Sequence, residues 1–230
     1  LFFGIAEIDR TLSGGGLARG ALHEILGVGG DEEDAALAAA FAAHILGRLT
    51  STADGLVLWC LPRPDLYGPG LAAHRLDPGR VVLVRAPRDA EILWAMEEGL
   101  RAPGIVAVVG ELGVLPAVAS RRLQLAAERS GITAFLLRRW RDSRQASRER
   151  AQPNAATTRW RIAALPSRPS RNEPGVGRAR WRVELLRCRG GEPACWEMEV
   201  PDATDHVSLA APLADRSAAP LASEKFRRAG

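Results

Sequence analysis

The chain predicts an α/β fold: a mostly parallel sheet flanked by helices, with an antiparallel β-hairpin near its C-terminal end. Three observations predict it. The continuous apolar run at 56–61 suits a strand buried on both faces, and the predominantly apolar segments 21–26, 81–84, 105–109 and 132–137 read as further strands. Helix-forming segments lie between them, and strand–helix alternation builds parallel sheets. Late in the chain, 180–187 and 195–200 alternate in polarity around Gly190-Gly191, which marks a hairpin.

Taken in order, residues 4–20 form a lead-in with a turn at Gly14-Gly15-Gly16. The first strand, 21–26, ends on Gly27. Asp31 then caps a helix whose first turn holds Glu32, Glu33 and Asp34, carboxylates that favour the positive end of its dipole. The strand at 56–61 stops at Pro62 and Pro64, and a short helix is expected over 71–76. A strand at 81–84 leads to an amphipathic helix over 89–100, with Ile92, Leu93, Met96 and Leu100 on one face. After the strand at 105–109, Pro116 opens a helix that Ser130-Gly131 closes. The strand at 132–137 follows. Residues 138–158 are arginine-rich and poor in apolar side chains, and are expected to form a mobile basic loop. Three β runs come next, at 159–165, 180–187 and 195–200. Trp160, Trp181 and Trp196 lie in them and are expected to share a core-facing side. One domain is expected over 1–200, with a flexible tail over 201–230.

Composition narrows the classes. Of 31 basic residues only Lys225 is lysine, and thirteen arginines fall between Arg138 and Arg182 against Asp142, Glu149 and Glu173. That basic segment in an otherwise mildly acidic chain suggests a polyanion or an acidic partner. Three cysteines without metal spacing suit a reducing cytoplasm. No run reads as a signal peptide or a membrane span, so no membrane association is expected. The four histidines are scattered, and no Ser-His-Asp or Cys-His arrangement stands out. No catalytic residue, metal site or cofactor is expected.

The segment from Gly4 to Gly27, with Ile5, Ile8-Asp9, Leu12, Gly14-Gly15-Gly16-Leu17, Gly20 and Glu24-Ile25, resembles the opening of the RecA-like ATPase core. Leu22-His23-Glu24-Ile25, Trp94-Ala95-Met96-Glu97-Glu98, Val108-Val109-Gly110-Glu111-Leu112 and Trp181-Arg182-Val183-Glu184-Leu185 are similar to the ImuA family, RecA-like proteins of bacterial damage-induced mutagenesis cassettes. The resemblance covers about 3–200. It implies a nucleoid-associated adaptor in SOS-induced translesion synthesis. Its implied partners are an ImuB-type polymerase-like protein, RecA and an error-prone polymerase.

The nucleotide site of that fold is degenerate here. Counted from Gly27, the phosphate-loop lysine falls on Glu33 and the magnesium-binding hydroxyl on Asp34, with Glu32 before them. The place of the catalytic glutamate after the second strand holds Leu61-Pro62-Arg63-Pro64. The magnesium-side acid falls on Glu111, which alone could still hold a metal. Three carboxylates beside a triphosphate repel it, so no productive ATP binding is expected. The basic loop sits where RecA carries a DNA-contacting loop. Arg139, Arg141, Arg144, Arg148 and Arg150 are candidates for phosphate contacts, with Trp140 for stacking on a base. The alternative readings are a single-stranded DNA-binding module, a divergent ATPase using the backbone of Gly27–Gly30, and a SulA-like division inhibitor.

Overall fold

A computed structural model describes residues 1–28, 31–168, 177–200 and 208–209, without the side chains of 31–34, 168 and 208–209. Among them nine strands form one sheet in the order β3-β2-β4-β5-β1-β6-β7-β8-β9. The strands are β1 (Leu22–Gly27), β2 (Leu56–Leu61), β3 (Val81–Arg85), β4 (Ile105–Leu112), β5 (Thr133–Arg138), β6 (Thr158–Arg168), β7 (Arg178–Cys188), β8 (Ala194–Glu199) and β9 (Ser208–Leu209). The first six are parallel, and β6 to β9 are antiparallel. The expected α/β class and the late hairpin are both present.

Two apolar layers cover the parallel strands. On one face α2 (Asp31–Thr52) sets Phe41, Ile45 and Leu49 against Ile25, Trp59, Val109 and Phe135. On the other, α4 (Asp89–Gly99) and α5 (Ala117–Ser130) set Ile92, Met96, Leu123 and Ala127 against Val108, Ala134 and Leu136. Burial on both sides explains why β1 and β5 are buried at every position. Trp160 and Trp181 are buried in the α2-side core, and Trp196 packs against it, 6.2 Å from Trp160 between ring centroids. The expected aromatic layer is therefore core.

Three local expectations change, and a fourth falls largely outside the described residues. The lead-in contains a short helix, α1 (Ala6–Thr11), held by the Asp9 carboxylate, which accepts the Phe3 and Gly4 N–H groups at 2.6 and 3.0 Å. The short helix before β3 is α3 (Gly68–Ala73), earlier than its apolar residues suggested. The segment 138–158 is not one mobile loop. It contains α6 (Ser143–Arg150), N-capped by Asp142 through the Gln145 N–H at 2.7 Å. The expected tail, 201–230, lies outside the described residues except for Ser208–Leu209, which pair with β8. No helix among the described residues is long and apolar enough to cross a membrane.

Candidate functional site at the carboxyl ends of the sheet

Open α/β sheets hold ligands beyond the carboxyl ends of their strands. Here β1, β2, β4 and β5 end side by side at Gly27, Leu61, Leu112 and Arg138. Two networks of buried charge occupy that edge.

The first is built on Glu111, near the end of β4 and 2% exposed. Its Oε1 accepts the Trp59 indole N–H at 2.7 Å, and its Oε2 accepts Arg139 at 2.5 Å. Arg139 also binds Asp65 bidentately, at 3.0 and 2.8 Å. Burial pushes the Glu111 pKa up, and the Arg139 hydrogen bond and charge oppose that rise. The hydrogen bond from Arg139 holds Asp65 below the usual carboxylate range. Glu111, the acid expected to remain available to a metal, thus already has an arginine on one oxygen and an indole on the other. Arg139, a candidate DNA contact, is spent on two carboxylates.

The second network is built on Glu24, 2% exposed in the middle of β1. It accepts Arg159 at 2.5 Å and Asn154 at 2.7 Å, and lies 3.6 Å from Arg138. Arg138 reaches on to Glu149 at 3.1 Å and to the Gly113 carbonyl at 2.9 Å. Burial pushes the Arg138 pKa down, while Glu24 and Glu149 support its charge. Arg187 closes the group by donating to Asn154 and the Ala156 carbonyl.

Arg150, the last residue of α6, carries the basic segment onto the phosphate-loop position. It donates to the carbonyls of Gly27, at 3.0 Å, and Val28. Its guanidinium lies 5.1 Å from the Trp140 ring centroid, and that of Arg138 lies 5.6 Å from the same ring. Trp140 is 2% exposed, packs with Leu26 and Ala146, and donates its indole N–H to the Gly113 carbonyl at 3.2 Å. This corrects its expected role: a ring buried under α6 has no face to offer a base. Among the candidate DNA contacts, Arg141, Arg144 and Arg148 remain exposed. A cavity of about 450 Å³ opens at this edge, lined by Pro62, Arg63, Gly113, Arg139, Arg141 and Gln145.

Of the segment expected to be a degenerate phosphate loop, Gly27 ends β1, and the backbone of Glu32, Glu33 and Asp34 forms the first turn of α2. Their side chains, and Gly29 and Gly30, lie outside the described residues. Sequence reasoning passed over Trp59, Asp65, Glu24, Glu149 and Asn154. Glu24 carried a usable signal, since a lone carboxylate inside an apolar strand needs a buried partner.

No family model matches the chain. It is 40% identical over 235 aligned positions to "Protein ImuA" of Caulobacter vibrioides strain NA1000 / CB15N, covering 100% of this chain and 96% of that protein. The same figures hold for "Protein ImuA" of Caulobacter vibrioides strain ATCC 19089 / CIP 103742 / CB 15. Similarity of that degree along the whole chain makes it a member of the ImuA family.

Proposed function

We propose that this chain is a non-catalytic adaptor in damage-induced translesion DNA synthesis. It would join an ImuB-type polymerase-like protein to RecA and an error-prone polymerase, using a RecA-like core for its surfaces rather than for hydrolysis. One observation carries the reading: at the edge where such a core would hold magnesium and triphosphate, Glu111 is engaged by Arg139 and Trp59. A metal there would have to displace Arg139 and compete with a charge-assisted hydrogen bond that already neutralises this buried carboxylate. Membership of the ImuA family supports the pathway.

Two measurements on the full chain test this. Calorimetric titration with magnesium-ATP is expected to show no binding, and micromolar affinity would overturn the non-catalytic reading. Pull-down with an ImuB-type protein and with RecA is expected to retain both. Failure to retain either would overturn the adaptor reading.

A second reading rests on Arg141, Arg144 and Arg148, which stay exposed around α6. They could track the phosphates of a single strand without base stacking, making DNA contact weak, salt-dependent and indifferent to sequence.

A further inference from the structure

We propose that the outer face of α4 and α5 is a docking surface for an amphipathic helix of a partner protein, one with an apolar stripe and an acidic flank. This surface presupposes the adaptor reading, for which it supplies one of the joining faces. Of the chain's six tryptophans, Trp59, Trp140, Trp160 and Trp181 are buried and Trp196 is half-buried. Trp94, on α4, is 66% exposed. Val118 and Leu125, on α5, are 70% and 51% exposed. None of these three serves the core. Ile92 and Met96 turn α4 onto the sheet, and Leu123 and Ala127 do the same for α5. Helical periodicity then sets Val118, Arg122, Leu125 and Arg129 in a second stripe along α5, at i, i+4, i+7 and i+11. Trp94 and Glu97 hold the matching line on α4, with Arg101 just past its end.

Both helices join parallel strands, so they run the same way. The bond from Arg122 to Glu97, at 2.9 Å, fixes their register. Trp94 therefore stands beside the Val118 end of the α5 stripe and Arg101 beside the Arg129 end. A cleft of about 350 Å³ opens between the helices, with Leu125, Ala126, Arg101 and Arg129 among its lining. Such a cleft between two helices takes a third helix, and the line from Val118 to Arg129 is about 16 Å, or roughly three turns. Charge identifies the occupant. Glu91, Glu97 and Glu98 are each held by an arginine of the same face, Arg88, Arg122 and Arg101. Glu128 is turned to Gln124. Arg121 and Arg129 are exposed and have no acidic partner among the described residues. A second copy of this chain would set these arginines against their own kind. A nucleic-acid strand would find Glu97 and Glu98 under its phosphates and a single ring for its bases. An acidic amphipathic helix meets both features. Its apolar stripe covers Trp94, Val118 and Leu125, with the tryptophan as anchor, and its carboxylates reach Arg121 and Arg129.

The test is calorimetric titration of the full chain with the ImuB-type protein, RecA and the error-prone polymerase, each in turn. Trp94→Ala with Leu125→Ala is expected to weaken one of these complexes at least about tenfold and to leave any other within about twofold. Its Tm is expected to be unchanged, because both side chains are exposed. Arg129→Glu is expected to weaken the same complex, and to do so less at high salt than at low salt. Unaltered affinity of the Trp94→Ala, Leu125→Ala variant in every complex would overturn this surface and leave the adaptor reading standing. Equal weakening of all complexes, or weakening confined to oligothymidylate binding, would overturn the surface as well. A wild-type chain that binds none of the three proteins would overturn the adaptor reading, and the surface with it.

Discussion

Arg139 closes on Glu111 at 2.5 Å and in doing so joins the residue that follows β5 to the end of β4, its neighbour in the sheet. The pair is buried, with side-chain exposures of 11% and 3%. Replacing Arg139 by Ala leaves Glu111 charged and uncompensated, so a loss of about 3–5 kcal/mol is expected in chemical denaturation. The sign with pH also follows. Glu111 has a raised folded-state pKa, so the folded protein holds its proton to higher pH than the unfolded chain. Its contribution is complete below the unfolded value of 4.5 and is lost as pH rises through the folded value. Removing Arg139 should widen that window upward, so the variant's deficit grows with pH above 4.5. Unfolding midpoints collected across that range check it, and a deficit that shrinks with rising pH would contradict it.

Two buried histidines give the opposite slope. Burial lowers His23 and His44 from 6.5 to about 4. The unfolded chain therefore binds protons first, and stability present above pH 6.5 drains away as pH falls toward 4. For fully buried His23 the full loss is on the order of 3 kcal/mol. His44 Nε2 is buried without a hydrogen-bond partner. His44→Leu should flatten the acid limb of the stability curve without lowering stability at neutral pH.

Trp140 separates two readings of the basic segment by stability alone. As a base-stacking residue it would be dispensable to the fold. Packed against Leu26 under two guanidinium groups, its replacement by Ala should cost about 3–5 kcal/mol. Thermal unfolding decides this, and a change within about 0.5 kcal/mol would reject the buried role.

The exposed arginines of α6 should behave conversely. Arg144→Gln with Arg148→Gln is expected to change stability by no more than about 0.5 kcal/mol. If the chain contacts single-stranded DNA, the same pair reduces the salt slope of binding by about 1.4. A salt titration of oligothymidylate binding reads this directly, and an unchanged slope removes α6 from the interface.

Gly47→Ala should be costly for its size. The added methyl group would meet the backbone carbonyl oxygen of His74 at 2.5 Å and the carbonyl carbon of Arg75 at 2.8 Å. Backbone yields less readily than side chain, so a loss of about 1–3 kcal/mol is expected in urea unfolding.

The sheet was legible wherever burial on both faces left continuous or predominantly apolar runs, as at 56–61 and 132–137. Legibility failed where polar residues find partners far along the chain. β4 runs on through Gly110-Glu111 to Leu112 because Glu111 is answered by Arg139, 28 residues later. α6 reads as a loop because Ser-Arg-Gln-Ala-Ser-Arg-Glu-Arg offers only Ala146 as an apolar anchor. Its order comes from Glu149 meeting Arg138 and Arg150 meeting the end of β1, contacts that no local pattern announces. The same blindness affects the site. The arginines of 138–150 are adjacent in sequence, but no local pattern distinguishes those bound to buried acids, such as Arg139, from those facing solvent, such as Arg144.

The placement of β1 between β5 and β6 has a consequence for how the molecule comes into being. Its partners are residues 133–138 and 158–168, and His23 bonds Thr158 across 135 positions of chain. A ribosome that has released only the first hundred residues has therefore delivered a strand with both edges still open. The two arginines that neutralise Glu24, at 138 and 159, have not yet been translated either. The nascent chain must hold an unpaired apolar strand and its carboxylate in solution until its last third emerges. Closure of the sheet is thereby a late event in synthesis, and β1 is secured long after it is made.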